Sequence, residues 1–370
     1  MEKIKFLDLK KINQNYIKNC QKSILSQIYS GNYILDNNVI KFEKDFSKFN
    51  NAKYCVGVNS GHDALKLSLV ALNVKKNDLV IVPSMTFIST YFAISEIGGV
   101  PYPVDVNEYG VIDLKKLPRN LPKKIKGMIS VNLYGNLCDY SSLNKYCKKN
   151  SIFLLEDSSQ SHGAFFLKNK KKKLWGSIAT FSFYPGKNLG SITDGGAVIT
   201  NSKNIFDKLK SLRNYGSKIK YYHDEIGFNS RLNSTSAIFL RQKLKKLNFE
   251  NALRGRQEKK YINKLKDIKQ LSFLRRNTKV VSSHHIFLIF LKERNKLKEF
   301  LNKNKIETII HYPVAPVNQK YYKKIIKSKK KYPIASKFEK ESLSLPLGKH
   351  LSNKQQDLII STIKKFFIKL

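Results

Sequence analysis

A lysine held in a turn, with a β-type run on either side and glycines around it, is the first group in this chain with chemical promise. Residues 181–190 read FSFYPGKNLG and residues 194–201 read DGGAVITN, which puts Lys187 in such a turn. An amine attacks a carbonyl only when unprotonated, so a Schiff-base lysine needs a desolvated site or cationic neighbours that lower its proton affinity. On this segment alone a solvated surface lysine is an equal reading, because basic runs usually mark solvated faces. Two further segments shift the balance.

Residues 154–164, LLEDSSQSHGA, are an apolar run ending in an acid. The carboxyl end of a strand is where open α/β sheets hold their ligands. A carboxylate there favours the charged form of a neighbouring base, so Asp157 can keep a pyridine nitrogen protonated and make its ring an electron sink. The competing reading is a helix cap by Asp157 or Ser158. His162 reads as a packing or hydrogen-bonding residue, since no second metal ligand sits at useful spacing. The third segment, residues 56–65 (VGVNSGHDAL), is a strand, a glycine turn and a helix start. Backbone amides at a helix N-terminus make a phosphate site, and Gly61 lets the backbone come close. Taken alone, such a turn is more often a steric convenience than a ligand site.

These groups need elements to position them. The first two-thirds of the chain alternates short apolar runs with helical patterns, which predicts an α/β fold with crossover helices. Strands are expected at Tyr54–Val58, Leu79–Pro83, 127–132, 152–156, 180–183 and 197–200, with helices at 64–72 and 87–97. After about residue 235 the texture becomes a long helical stretch to Ile268, a strand-like run at 285–290, a helix near 295–304 and a last helix at 354–368. The expected division is a large domain at 1–235 with the N-terminal segment, and a smaller C-terminal domain at 236–370.

Composition narrows the function classes. Hydrophobic residues make up 41% and charged residues 26%, as in a folded soluble protein. The N-terminus has no signal-peptide core, and the longest apolar runs fall far short of the roughly 20 residues that cross a bilayer. Four cysteines with no CxxC pair fit a reducing cytoplasm. The formal net charge of +42 fits a lysine-rich bias or an anionic substrate. The runs at 170–173 and 323–331 read as solvated connections. A basic nucleic-acid-binding protein is the rival of another class, but the chain carries no zinc-finger spacing, RNA-recognition signature or basic helix followed by heptads.

In this order the three segments resemble the DegT/DnrJ/EryC1/StrS family of sugar-nucleotide aminotransferases, a branch of the fold-type I pyridoxal-phosphate enzymes. The likeness runs from Phe6 to about Leu347. It includes FLDLK at 6–10, PSMTFIST at 83–90, LRNYG at 212–216, GFNSRL at 227–232, HYPVAP at 311–316 and SLPL at 344–347. The resemblance implies an α/β fold with a large domain built on a mixed, mostly parallel sheet plus a smaller α/β domain, and pyridoxal 5'-phosphate as cofactor. It implies Lys187 as the Schiff-base lysine, Asp157 paired with the ring nitrogen, Gln160 near the ring hydroxyl and Phe87 stacked on the ring. Gly61, His62 and Ser182 would bind the phosphate, with Asn229 reaching it from the second subunit of a homodimer.

The tract at 213–223 and the FLDL start look most like members acting on dTDP-linked 3-keto-6-deoxyhexoses with glutamate as donor. Tyr184, His311 and Tyr312 would then line the sugar, and Lys220 of the partner chain would meet the diphosphate. A 4-keto or UDP-linked sugar is the alternative within the family. Relatives that dehydrate sugars carry histidine at the position of Lys187, so the lysine argues for transamination. Three residues depart from the family pattern: His62 stands where threonine or leucine is usual, Asp36 where glycine is common, and Val317 where many relatives have histidine. The last two leave the sugar and nucleotide preference open.

Overall fold

The computed structural model describes residues 3–169, 172–326 and 331–368. Its central sheet is built from β1 (Tyr54–Val58), β2 (Leu79–Pro83), β3 (Val100–Val104), β4 (Ile125–Val131), β5 (Phe153–Asp157), β6 (Ile178–Ser182) and β7 (Gly196–Thr200). The order across the sheet is β1-β7-β6-β5-β4-β2-β3. From β3 to β6 neighbouring strands pair in parallel, whereas β7 runs antiparallel to both β6 and β1. The fold is therefore α/β with a mixed, mostly parallel sheet, as expected. Its strands are apolar almost without alternation because both faces are covered, as parallel sheets require.

The expected strands all form, with ends moved by one or two residues, but β3 does not stand out in the sequence. Its run VPYPV carries Pro101 and Pro103, and proline cannot donate to a ladder. The sheet tolerates them because β3 is an edge strand with only β2 beside it.

Two helices precede the sheet that periodicity alone does not announce: α1 (Leu9–Tyr29) and α2 (Asn37–Phe49). Their starts are set by aspartate caps. Asp8 accepts the Lys11 amide at 3.0 Å and Asp36 the Val39 amide at 3.2 Å. Asp36 is thus a helix cap, which gives the acid a local structural role. The helices α3 (Gly61–Ala71) and α4 (Ser89–Glu96) cross over as expected, and α5 (Tyr140–Lys149) and α6 (Lys203–Leu212) follow. The long helical stretch is in fact two helices, α7 (Ser234–Leu244) and α8 (Leu247–Leu265), broken at Lys245 and Lys246. Ala237, Leu240 and Leu244 of α7 pack in one cluster with Val39, Phe42 and Phe46 of α2.

Beyond α8 a three-stranded antiparallel sheet forms from β8 (Ser272–Phe273), β9 (Phe287–Phe290) and β10 (Ser342–Leu345). The two faces of β9 serve different cores, as the period of a strand allows. Phe287 and Ile289 pack with Tyr261, Leu297 and Ile363, while Leu288 and Phe290 join Val82, Ile129 and Leu155 of the central sheet. This strand thereby packs the small sheet against the central one.

The lysine runs are only partly open to description, since 170–171 and 327–330 lie outside the described residues. Lys172 is not a solvated connection: it is half-buried over the Phe49 ring, and burial lowers its pKa to about 6. Val317 is buried in the core cluster that holds Leu288 and Phe290.

One buried ion pair ties α2 to β1. The Glu43 carboxylate meets Arg213, accepts the Gly57 amide at 2.7 Å, and Arg213 also donates to the Gly57 carbonyl at 2.8 Å. Removing one member leaves the other charge stranded in protein. Glu43→Ala is expected to lower the unfolding free energy by about 3–5 kcal/mol, measured by urea denaturation; a loss below about 1 kcal/mol would mean the pair is solvated in solution.

Candidate active site

A cavity of about 620 Å³ opens at the carboxyl ends of β5 and β6, a size that suits a small-molecule ligand. Because these strands are parallel neighbours, Asp157 at the end of β5 and Ser182 at the end of β6 reach the same edge. The turn after β6 brings Tyr184 and Lys187, the start of α3 brings Gly61 and His62, the β2–α4 connection brings Phe87, and Gln160 follows β5. His311 and Tyr312 come in from the C-terminal part, and all of these line the cavity. Asn229 and Lys220 do not. Both are exposed, Asn229 in a bridge with Asn214 and Lys220 beside the Tyr221 ring.

Lys187 sits in a turn with little freedom. Its amide donates to the Tyr184 carbonyl at 2.8 Å, and a Cβ on Gly190 would lie 2.2 Å from the Pro185 carbonyl oxygen. The next residue, Asn188, is buried and donates to both Asn251 Oδ1 and the Ser283 carbonyl at 2.7 Å. Of this pair, Lys187 lines the cavity and Asn188 does not. Burial of the Lys187 amine lowers the pKa to about 8, against a smaller opposing pull from the Asp157 charge. At pH 7 about a tenth of such amines are unprotonated, compared with roughly one in three thousand for an ordinary lysine.

Asp157 is buried, and among the described residues no helix begins at it, so the capping alternative drops out. Its Oδ1 accepts the Ser159 amide at 3.1 Å and its Oδ2 the Thr90 hydroxyl at 3.3 Å. Burial pushes its pKa up, while the two hydrogen bonds and the Lys187 charge pull it down. A cation placed against this carboxylate would complete it electrostatically.

Gly61 packs directly on the end of β6. A Cβ there would lie 2.4 Å from Ser182 Cβ and 2.9 Å from its Cα. The glycine thus brings the first amides of α3 against Ser182 with no side chain between, and these amides point out of the helix end. Ser60 caps the helix, its Oγ accepting the Asp63 amide at 3.0 Å. The Phe87 ring stands half-exposed, 5.6 Å from that of Tyr312. Gln160 is fixed at both ends: Oε1 accepts the Tyr134 amide at 2.8 Å and Nε2 donates to the Tyr312 hydroxyl at 2.9 Å.

Three imidazoles near the cavity are shifted toward their neutral form. Burial, followed by the Lys187 charge, lowers the pKa of His311 to about 4 and that of His162 to about 3, and takes His285 well below its usual value. His162 is the packing residue expected, its ring 5.5 and 5.9 Å from Phe181 and Phe183. Further residues that line the cavity are Phe6, from the FLDLK segment, and Ser89, Thr90, Arg254 and His285. Thr90 and Ser89 lie in a segment already singled out, but Arg254 and His285 reach the cavity only through the packing of α8 and β9.

Residues 14–364 match the DegT/DnrJ/EryC1/StrS aminotransferase family. The dTDP-3-amino-3,6-dideoxy-alpha-D-galactopyranose transaminase of Aneurinibacillus thermoaerophilus is 37% identical over 368 residues, covering 98% of this chain and 99% of that protein. The dTDP-3-amino-3,4,6-trideoxy-alpha-D-glucose transaminase of Streptomyces venezuelae is 33% identical, covering 98% and 96% of the two chains. Among solved structures, S. venezuelae DesV superposes with a TM-score of 0.95 at 32% identity over 99% of both chains.

Proposed function

The chain belongs to the DegT/DnrJ/EryC1/StrS aminotransferase family, and from that premise we propose that it moves an amino group from glutamate to C3 of a dTDP-linked 3-keto-6-deoxyhexose, with pyridoxal 5'-phosphate held at Lys187. The observation that carries this reading is the pairing of a desolvated amine and a buried carboxylate on one cavity, at the carboxyl edge of two parallel strands.

The residues fit the cofactor. Asp157 is a buried anion with room for a cationic partner, the Gly61–Ser182 approach leaves a cradle that any Cβ would fill, and Lys187 is an amine with lowered proton affinity. When bound, the cofactor supplies an electron sink for the carbon that gains or loses a proton. The protein's part is to hold and move protons. Asp157 keeps the ring nitrogen protonated, and Gln160, clamped between Tyr134 and Tyr312, holds its amide at a set position for the ring hydroxyl. Phe87, on the cavity wall, would cover one face of the ring and keep water from it. The Lys187 amine, in part unprotonated at neutral pH, would carry the proton between the substrate carbon and the cofactor's reactive carbon.

Tyr184, His311 and Tyr312 are the sugar-facing groups in this reading. The neutral His311 ring is held by Ser344 Oγ at 2.8 Å, and so can only hydrogen-bond, without adding charge. The segment with Lys220 and Asn229 exposes Tyr221, Tyr222 and Ile226, an apolar group that a second copy would cover. A homodimer would bring both polar residues to the neighbouring cavity.

Incubating the protein with glutamate and, separately, dTDP-linked 3-keto-6-deoxygalactose and 3-keto-6-deoxyglucose, followed by product NMR, tests the assignment. The galacto sugar is expected to be aminated at C3 faster. Amination of only a 4-keto or a UDP-linked sugar would reject it.

A further inference from the structure

Both ring nitrogens of His62 are engaged by neighbouring side chains. Its Nδ1 lies 2.8 Å from Ser89 Oγ, and its Nε2 lies 3.0 Å from both carboxylate oxygens of Glu96. Around this pair, Lys66 stands 3.5 Å from Glu96 and 3.4 Å from Asp63, and the other Asp63 oxygen accepts the Ser230 hydroxyl at 2.8 Å. Lys66 and Asp63 belong to the ring's own helix α3, and Glu96 to α4. The imidazole therefore bridges a carboxylate on one side and a hydroxyl on the other. That hydroxyl belongs to Ser89, which lines the cavity together with Gly61 and Ser182.

A carboxylate only accepts, so the nitrogen facing Glu96 carries a hydrogen. The state of Nδ1 then decides what Ser89 offers to the cavity. On a neutral ring Nδ1 accepts the Ser89 hydrogen, leaving oxygen lone pairs toward the cavity. On a cationic ring Nδ1 donates to Ser89 Oγ, and the Ser89 hydrogen is free to turn inward. An anion at the start of α3 is repelled by the first arrangement and bonded by the second. Glu96 supplies the counter-charge that the cationic ring needs.

We infer that His62, Ser89 and Glu96 work as one positioning unit, in which the ring, charged against Glu96, turns the Ser89 hydroxyl toward the cofactor phosphate, so that phosphate binding takes up a proton at His62. This rests on the pyridoxal-phosphate reading of the cavity. His62 would then act on the phosphate through Ser89 and through its own amide, not through its ring.

The test is calorimetric titration of the cofactor-free full-length protein with pyridoxamine 5'-phosphate and with pyridoxamine, neither of which bonds covalently to Lys187. Running each titration in two buffers of different ionisation heat counts the protons taken up. The wild type is expected to take up more protons with the phosphorylated probe than Ser89→Ala or Glu96→Gln does. Each variant should bind that probe about tenfold more weakly, the size of one charge-assisted hydrogen bond, and should bind pyridoxamine within about twofold of wild type. Variants that bind the phosphorylated probe as wild type does, or that lose both probes equally, would overturn the inference while leaving the cofactor reading intact. A wild-type chain that binds neither probe would overturn the cofactor reading, and this inference with it.

Discussion

Lys187→Ala is expected to slow amino transfer by at least about a thousandfold, the upper range for loss of a positioned proton-transfer group, here with its covalent role lost as well. Cofactor affinity should fall much less, because Gly61, Ser182, Asp157 and Phe87 remain. A small primary amine such as methylamine added to the variant should restore part of the rate, since the missing group is a base of that size. In the wild type, capture of pyridoxal 5'-phosphate should speed up with pH and level off above about 8, as the depressed amine gives up its proton. The sign follows from the chemistry: only the neutral amine attacks, and it is the major form above its own pKa. Borohydride treatment followed by peptide mass spectrometry should place the label on Lys187. A label elsewhere, or undiminished turnover by the variant, would remove the foundation of the proposed mechanism.

Why Lys187 was visible in a chain so rich in lysine is a matter of context. Glycines and a proline within four residues force a tight turn, and a β-type run on each side puts that turn at a sheet edge. The same logic reached Asp157, because a run of apolar residues ending in an acid marks the end of a buried strand. It reached Gly61 because a glycine between a strand and a helix marks close backbone approach. Local signals of this kind are one-dimensional, so the sequence displays them.

Arg254 and His285 were not visible for the converse reason. Each lies in a segment whose local pattern says only helix or strand, and each meets the cavity through contacts between residues far apart in the chain. The His62–Glu96–Ser89 unit is similar: its members look like unrelated polar residues until α3 and α4 pack side by side. Proline hides β3 in the sequence, since it usually argues against a strand and only the edge position makes it harmless. The resemblance to a family flagged Asp36 and Val317 as departures bearing on the sugar. In the structure one caps α2 and the other is buried in the core, so within a single chain neither lines the cavity.

Asp157→Asn is expected to separate stability from activity. The folded chain holds the Asp157 proton more tightly than the unfolded chain does, because burial raises its pKa. Such a group favours the fold at low pH and loses that contribution as the pH rises past its folded value. At neutral pH the cofactor-free variant should therefore unfold at a temperature no lower than wild type, having exchanged a buried charge for a neutral amide of similar shape. Amino transfer should nevertheless fall by about a hundred- to a thousandfold, the loss that follows removal of one pre-organised electrostatic partner. The Lys187 amine supplies an independent readout. Asp157 is the one charge that opposes its desolvation, so without it the pH at which cofactor capture levels off should move below about 8. If the variant instead melted well below wild type and kept its rate, Asp157 would be a structural residue, and the carboxylate end of the proposed site would have to be sought elsewhere on the cavity wall.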